Sequence, residues 1–181
     1  MTLKLLGISG ALRMASTNTQ LVHAAAKSFG PCDFTLADLN VPLYDGDVES
    51  DSGMPPSVMT LAEQIRDADA VIIATPEYNK MISGVLKNAL DWVSRTGMSP
   101  WAHKPVAIMS AAAGRAGGER AQYSLRWAMT PFNAQLLQAP EVLIANSGKA
   151  FDADGALIDA RSQASLDTLM AALRAVVDKR T

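Results

Sequence analysis

Four consecutive residues in the middle of the chain, Pro76-Glu77-Tyr78-Asn79, bring together a carboxylate, a phenol and an amide. They follow a short apolar run rich in branched residues, residues 70–74, which is typical of a strand buried on both faces. After them, apolar residues recur at helical spacing between residues 85 and 93. The four residues therefore form a loop at the carboxyl end of a central strand, where open α/β sheets bind ligands. A connector needs none of these groups, whereas a site for a planar polar ring can use all of them.

A second group of polar residues, residues 9–18, follows the first predicted strand. A glycine, Gly10, leads there into a helix whose start carries hydroxyls, an amide and the guanidinium of Arg13. A helix N-terminus presents unpaired N–H groups and a positive dipole end, so this loop suits a phosphate, with Arg13 as a charge-assisted partner. The spacing is neither a Walker A loop nor GxGxxG, which disfavours an ATPase or a dinucleotide-type Rossmann site. The open alternative is that Ser16 or Thr17 only caps the helix and Arg13 is solvated.

Another loop, rich in glycine, follows the fourth predicted strand. It begins at Ser110, runs through three alanines and contains Gly114, Arg115, Gly117 and Gly118. Small residues let the backbone approach a ligand closely. Arg115 is placed to meet a second anionic group, although a solvated arginine on a flexible loop is the commoner meaning of a single arginine.

These loops belong to an alternation of strands and helices that runs through the whole chain. Strands are predicted at residues 3–8, 33–39, 70–74, 105–109 and 142–145, and helices at residues 17–29, 57–68, 84–95, 120–128 and 162–177. Ser57 is the predicted N-cap of the second helix, after a long polar loop at residues 40–56. This alternation predicts a parallel sheet with helices on both faces. In the flavodoxin-like strand order 2-1-3-4-5 the three loops would meet at one mouth.

Length and composition limit the remaining possibilities. The chain of 181 residues suits one domain over residues 1–181, and its net charge of −2 without a basic run predicts no nucleic-acid or membrane partner. The single Cys32 excludes an internal disulfide, and the separated His23 and His103 give no expectation of a metal site. No apolar stretch is long enough to span a bilayer, and the first strand pattern starts at once, so a cytoplasmic protein is expected.

With these three loops, the sequence resembles the NADPH-dependent FMN reductase family, which includes chromate and quinone reductases and some azoreductases. The resemblance covers nearly the whole chain and implies a flavodoxin-like three-layer sandwich with a five-stranded parallel sheet in the order 2-1-3-4-5. It rests on Ser-Gly-Ala-Leu-Arg-x-x-Ser-x-Asn at residues 9–18, Pro-Glu-Tyr-Asn at 76–79, Gly-x-Leu-Lys-Asn-Ala-x-Asp-Trp at 84–92 and Gly-Arg-x-Gly-Gly at 114–118.

The resemblance implies a site for FMN, with NADPH or NADH as the reductant. Arg13, Ser16 and Asn18 would hold the FMN phosphate, with Ser9 and Thr17 in the same loop. The isoalloxazine ring would lie along Pro76, Glu77, Tyr78 and Asn79, mostly through backbone groups. Its other side and the nicotinamide entry would be bordered by Ser110, Ala111, Gly114, Arg115 and Gly117. Many relatives carry a serine in place of Ala11, so this chain lacks one hydroxyl near the phosphate.

The resemblance also implies an enzyme that takes hydride from NAD(P)H to flavin N5 and then reduces a small acceptor. Quinones, azo compounds, metal oxyanions and free flavin are the expected acceptors. No side chain is expected to be catalytic, because the flavin carries the chemistry. An electron carrier of the flavodoxin type, without a nicotinamide site, is the main alternative, although flavodoxins are typically far more acidic. A binding or regulatory protein without turnover is the third. A hydrolase is disfavoured, because neither Glu77 nor Ser9 has a recognisable histidine partner.

A homodimer or homotetramer is the expected assembly. The loop at residues 40–56 carries Leu43, Tyr44 and Met54, and Val93 and Trp101 would extend an apolar surface close to the flavin loop. A twofold contact would bury this surface and place one subunit's loop over its partner's flavin, an arrangement that the resemblance also implies. The alternative is that Tyr44 and Trp101 fold back on their own subunit.

Overall fold

Strands and helices alternate from end to end in the computed structural model, which describes residues 2–180. The elements are β1 (Lys4–Ser9), α1 (Thr17–Phe29), β2 (Asp33–Leu36), α2 (Gly46–Ser52), α3 (Pro56–Asp67), β3 (Ala70–Thr75), α4 (Gly84–Arg95), β4 (Pro105–Ala111), α5 (Glu119–Met129), β5 (Gln135–Leu136), β6 (Val142–Ile144) and α6 (Ala160–Asp178). Helix α1 has the predicted bounds, because Ser16 caps its first turn and Gly30, at a φ of 90°, ends it.

The strands form one parallel sheet in the order β2-β1-β3-β4-β5, with β6 also paired to β4. At the centre, Ile73 of β3 lies opposite Ile8 on one side and Ile108 on the other. Strand β5 pairs with the start of β4, and β6 pairs with its end. The predicted flavodoxin-like order 2-1-3-4-5 is therefore confirmed, with the last position of the sheet shared by two short strands.

Each face of the sheet packs against its own set of helices. On β3, Ala70, Ile72 and Ala74 belong to the core that includes α1 and α6, whereas Val71 and Ile73 belong to the core that includes α3, α4 and α5. All six residues of β3 are buried, which explains why the strand reads as one continuous apolar run. With both faces covered, the edge where the strands end is where loops and ligands can meet.

Three local predictions were wrong. The loop at residues 40–56 contains helix α2, which buries no side chain and therefore gives no apolar periodicity in the sequence. Helix α3 begins at Pro56, and its N-cap is Pro55 without a side-chain hydrogen bond, so Ser57 is not the cap. Strand β2 ends at Leu36, short of residue 39.

Gly7, in β1, marks a very close approach of α1 to the sheet. A Cβ atom at this position would lie 2.4 Å from Cγ1 of Val22 and 2.8 Å from Cε2 of Phe34. A larger residue than glycine therefore cannot fit at position 7 unless these side chains move. Because β1 leads directly into the loop before α1, this contact sets how closely that helix lies on the sheet.

We expect Gly7→Ala to lower the free energy of unfolding by about 1–3 kcal/mol, because Val22 and Phe34 must move to admit the methyl group. Urea denaturation measures the change. Gly84→Ala is the matched control: nothing lies within 4 Å of its Cβ position, so its effect should stay within about 1 kcal/mol. A Gly7→Ala protein as stable as the control would contradict the close packing.

Candidate active site

The loops that follow β1, β3, β4 and β6 surround a cavity of about 270 Å³. Its walls are Ala11, Arg13, Ser16, Thr17, Asn18, Pro76, Glu77, Tyr78, Ala111, Ala112, Ala113 and Ser147. The three loops chosen from the sequence therefore meet at one place; they are called the first, third and fourth loops after the strands β1, β3 and β4 that they follow. Among the predicted site residues, Ser9, Asn79, Ser110, Gly114, Arg115 and Gly117 lie outside these walls.

The start of α1 gives one end of the cavity a positive character. The Ser16 hydroxyl accepts hydrogen bonds from the N–H groups of Asn18 at 3.2 Å and Thr19 at 3.3 Å. Thr17, the first helical residue, lines the cavity and receives no such cap. The exposed Arg13 guanidinium donates to the carbonyl of Ala15 at 2.8 Å, which holds it over the loop. Ser16 thus caps the helix, while the dipole and Arg13 favour an anion beside Thr17.

Asn18 is buried and joins the first loop to the fourth strand. Its Nδ2 donates to the carbonyl of Ala111 at 2.9 Å, and its Oδ1 accepts from the N–H of Ala111 at 3.0 Å. Both halves of the amide are therefore engaged within the protein. Asn18 therefore braces the wall of the cavity that it lines.

The loops after β1 and β3 touch each other at Gly10. A Cβ atom there would lie 3.1 Å from Oγ of Ser83 and 3.2 Å from Cδ of Pro76. The Gly10 N–H also donates to the carbonyl of Ala74 at 2.8 Å, which continues the sheet into the loop. This contact places the phosphate-type loop directly beside the Pro76–Asn79 segment.

A tight hairpin projects from the third loop. Tyr78 and Met81 exchange two backbone hydrogen bonds of 3.1 and 3.0 Å. Asn79 and Lys80, at φ values of 50° and 68°, form the two-residue turn between them. Asn79 thus lies at the tip of the hairpin, beyond the cavity. Tyr78 lines the cavity while remaining 60% exposed.

Ser110, near the end of β4, holds the glycine-rich loop in place through hydrogen bonds. The fully buried Ser110 hydroxyl donates to the carbonyl of Gly117 at 2.6 Å and accepts from Nε2 of Gln122 at 3.0 Å. Ser110 and Gly117 therefore shape the loop from within. Gly114 and Arg115 are exposed on the same loop.

Two serines, Ser9 and Ser147, lie at positions relative to the cavity that the sequence did not predict. Ser9 lines a neighbouring cavity on the β2 side, where its Oγ accepts a hydrogen bond from Thr19 Oγ1 at 2.8 Å. Ser147, which the sequence motifs did not mark, lines the main cavity, and its N–H donates to the carbonyl of Ala112 at 3.1 Å. Its position shortly after the last strand is the signal that would have pointed to it.

The Leu-Lys-Asn-Ala-x-Asp-Trp helix serves a different segment of the chain. Trp92 is fully buried, as expected of a packing residue, and its Nε1 donates to the carbonyl of Pro42 at 2.8 Å. The Asn88 amide accepts from the N–H of Tyr44 and donates to Pro42, both at 2.9 Å. Asn88 therefore braces residues 42–44 and not the Pro76–Asn79 loop. Nearby, the hydrogen bond from Arg95 lowers the pKa of the Glu49 carboxyl.

Other kinds of site find no support in the part of the chain that the structure describes. Within residues 2–180, no group of three or more histidine, cysteine or acidic side chains is placed to hold a metal ion. None of the helices in that range combines the length and apolar character of a membrane span.

Comparison with known proteins relates the whole arrangement to flavoenzymes. The family model described as NADPH-dependent FMN reductase matches residues 3–149. An NAD(P)H-dependent FMN reductase of Pseudomonas aeruginosa is 44% identical over 174 residues, which cover 95% of this chain and 94% of the relative. A 2-hydroxy-1,4-benzoquinone reductase of a Burkholderia species is 40% identical, over 94% of this chain and 93% of the relative.

One solved structure extends the similarity to the fold and the sequence together. FerB, a flavoenzyme NAD(P)H:(acceptor) oxidoreductase from Paracoccus denitrificans, superposes with a TM-score of 0.87. It is 30% identical, and the match covers 99% of this chain and 98% of that one.

We expect Asn18→Ala to lower the free energy of unfolding by about 1–3 kcal/mol, because it leaves the buried N–H and carbonyl of Ala111 without partners. Urea denaturation measures this change. Thr17→Ala, at the next position on the same helix turn, should change stability by no more than about 0.5 kcal/mol. Equal effects of the two substitutions would show that Asn18 does not brace β4.

Proposed function

The chain belongs to the NADPH-dependent FMN reductase family, and we propose that it is a quinone reductase whose FMN lies in the cavity between the first, third and fourth loops. It is an FMN-dependent oxidoreductase that draws its electrons from NAD(P)H. Bound FMN supplies the hydride and electron chemistry that amino-acid side chains lack. The observation that carries the proposal is the cavity itself, which is cationic at one end and lined by small and flat residues at the other.

The cationic end fits the phosphate of FMN. Arg13 offers a charged donor, and Thr17 offers the uncapped first N–H of a 13-residue helix. Oxyanions bind well at such helix starts because N–H groups and the dipole act together. Ala11 contributes no hydroxyl, so backbone groups of this loop take a larger share of the binding.

The other end fits a flat aromatic ring. Pro76, Tyr78 and the small side chains of residues 111–113 all line the cavity, and such flat and small groups leave space for a ring. Glu77 brings a carboxylate close to this end, but its Oε2 accepts hydrogen bonds from backbone N–H groups at 3.1 and 3.2 Å. These hydrogen bonds offset the charge of the carboxylate, so its presence is compatible with a neutral ring in the cavity.

The role of the protein in the reaction is then to bind and orient the flavin and to shield it from water. The walls position the ring, and the half-exposed Tyr78 leaves one side of the cavity open to small planar molecules. A nicotinamide and a quinone can use this opening in turn. The choice of a quinone follows the Burkholderia relative, which is 40% identical over 94% of this chain.

The visible spectrum of the purified protein tests the function. We expect a yellow protein that bleaches when NADPH or NADH is added without oxygen, and that regains its colour when 1,4-benzoquinone is added. Bleaching by dithionite alone would indicate an electron carrier and contradict the enzyme. Bleaching by NAD(P)H without recovery on adding quinone would contradict the acceptor.

We expect Arg13→Ala to weaken FMN binding by about 1.5–3 kcal/mol, the usual worth of a hydrogen bond to a charged group. Riboflavin, which lacks the phosphate, should bind the variant and the original protein equally well. Fluorescence titration of the apoprotein with both flavins gives the two affinities. Arg161→Ala, exposed in the first turn of α6 and outside the cavity, is the control and should leave both unchanged. An equal loss for both flavins would refute the phosphate assignment.

A homodimer is the proposed assembly, on a surface that overlaps the predicted one at Val93 and Trp101. Val93 and Trp101 are 1% and 2% exposed, and the Tyr44 ring packs against Trp92 with centroids 4.9 Å apart, so these residues fold onto their own chain. Val93 and Trp101 nevertheless line an open groove of about 940 Å³ beside α4 and α5. Trp127, 82% exposed, lies on this groove, and so does Met81 of the hairpin.

A second copy of the chain suits this groove because exposed apolar patches of this kind mark interaction surfaces. Met81 connects the groove to the hairpin that also carries Tyr78, so a partner seated there would border the cofactor cavity. We expect light scattering at micromolar concentration to show a dimer or a dimer of dimers, and Trp127→Glu to dissociate this contact. Leu43→Glu, at an equally exposed position on another surface, is the control. A fully active monomer would overturn the proposal.

The same proposal treats residues 1–181 as one domain in the cytoplasm. One continuous sheet with a core on each face supports the single domain. The lone Cys32, which remains a free thiol, is compatible with a reducing compartment. A single unfolding transition and recovery in the soluble cell fraction are the expected results.

A further inference from the structure

Glu77 caps a helix that begins more than forty residues further along the chain. Its Oε2 accepts hydrogen bonds from the N–H of Arg120 at 3.1 Å and of Ala121 at 3.2 Å. Both N–H groups belong to the first turn of α5, which starts at Glu119. A carboxylate that accepts such bonds also interacts favourably with the positive end of the helix dipole.

Helix α5 cannot supply this cap from its own N-cap position. That position is Gly118, at φ 92° and ψ 24°, and no side chain caps the helix locally. A Cβ atom on Gly118 would lie 2.7 Å from Cβ of Ser110, and one on Gly117 would lie 2.7 Å from the carbonyl carbon of Leu143. Serine, threonine, asparagine and aspartate, the usual capping residues, are therefore excluded by space. The N–H of Glu119 donates to the nearby carbonyl of Ala116, but those of Arg120 and Ala121 take their acceptor from Glu77.

A second hydrogen bond fastens the other side of the same loop to the same helix. The N–H of Ile82 donates to Oγ of Ser124 at 2.9 Å. Glu77 and Ile82 flank the hairpin between Tyr78 and Met81, so both of its ends are attached to α5. The start of α5 is also where the glycine-rich loop ends. Through this helix, the third loop and the fourth loop are held at one fixed separation.

We infer that Glu77 is a positioning residue for the reductase reaction, and that its carboxylate sets the width of the cavity between Tyr78 and the wall at residues 111–113. The inference rests on the proposed function for what the cavity binds. The phosphate end is held by Arg13 and by the Asn18 bonds to Ala111, neither of which involves Glu77. Loss of the carboxylate therefore loosens the ring end of the site, where the nicotinamide enters, more than it loosens the hold on FMN.

The test compares Glu77→Ala and Glu77→Gln with Glu119→Gln. Glu119 is exposed in the first turn of α5, so its replacement removes a charge at the same helix end without touching the link between the loops. The measurements are the FMN dissociation constant, and kcat and KM for NADPH and NADH with saturating FMN and 1,4-benzoquinone. Amide hydrogen exchange of Arg120 and Ala121 in the apoprotein gives a readout that is independent of the cofactor.

We expect Glu77→Ala to raise KM for the nicotinamide nucleotide about tenfold, while FMN affinity changes less than about threefold. Glu77→Gln keeps an acceptor oxygen and should recover most of the loss, and Glu119→Gln should match the original protein. In the apoprotein, exchange at Arg120 and Ala121 should be slow, and Glu77→Ala should accelerate it.

Three results would overturn the inference. The first is an unchanged KM in a folded Glu77→Ala protein. The second is an equal effect of Glu119→Gln, which would show that charge at the helix end matters and the link does not. The third is rapid exchange of Arg120 and Ala121 in the unsubstituted apoprotein, a measurement that remains decisive if Glu77→Ala does not fold. Failure of the unsubstituted protein to bind FMN would instead count against the proposed function.

Discussion

The pair of hydrogen bonds between the Asn18 amide and the backbone of Ala111 holds the functional edge of the molecule together. Strand β3 lies between β1 and β4 in the sheet, so this contact reaches from the helix after β1 across the end of β3 to the end of β4. Both atoms of the amide are used, and the site is buried, where an unpaired group would be costly. The first, third and fourth loops therefore start from fixed positions, and the cavity between them is preorganised.

Close backbone approach is the second constraint on this edge. Gly10, Gly117 and Gly118 each lie where a Cβ atom would meet a neighbouring loop or strand at between 2.7 and 3.1 Å. Such contacts bring the loops near enough to enclose a ring, but they leave these positions without side chains. The polar groups that stabilise the loops are therefore supplied from outside them: Ser110 from the strand below, and Glu77 from the loop opposite.

The cavity and the apolar groove share one structural element, the hairpin from Tyr78 to Met81. Tyr78 lines the cavity and Met81 lines the groove, and a two-residue turn with positive φ at Asn79 and Lys80 joins them. Lysine in this backbone region is uncommon and costs energy, which indicates that the surrounding contacts determine the turn. Assembly and access to the flavin are therefore linked in the proposed function, because a partner on the groove would lie beside the opening.

Local signals in the sequence were sufficient to locate most of the elements and to identify the cofactor. The caps at Ser16 and Gly30 marked the two ends of α1, and the unbroken apolar run of β3 marked the central strand. The motifs in the strand-end loops indicated FMN through their resemblance to one family, and the match of that family's model over residues 3–149 agrees. Helix caps depend on neighbouring residues, and burial of one face of a helix or strand gives a periodic pattern of apolar residues, so both can be read from the sequence.

The role of each polar side chain, in contrast, depends on the tertiary structure. Asn18 and Ser110 belong to the predicted site but bind backbone groups, and Ser147 enters the cavity from a turn that no motif marked. Val93 and Trp101 read as apolar surface yet are buried, and α2 was missed because it buries nothing. The Asn18 bonds span 93 residues of sequence. Hydrogen-bond partners so far apart in sequence are brought together by the packing of the sheet and its helices. A local sequence pattern therefore cannot predict them.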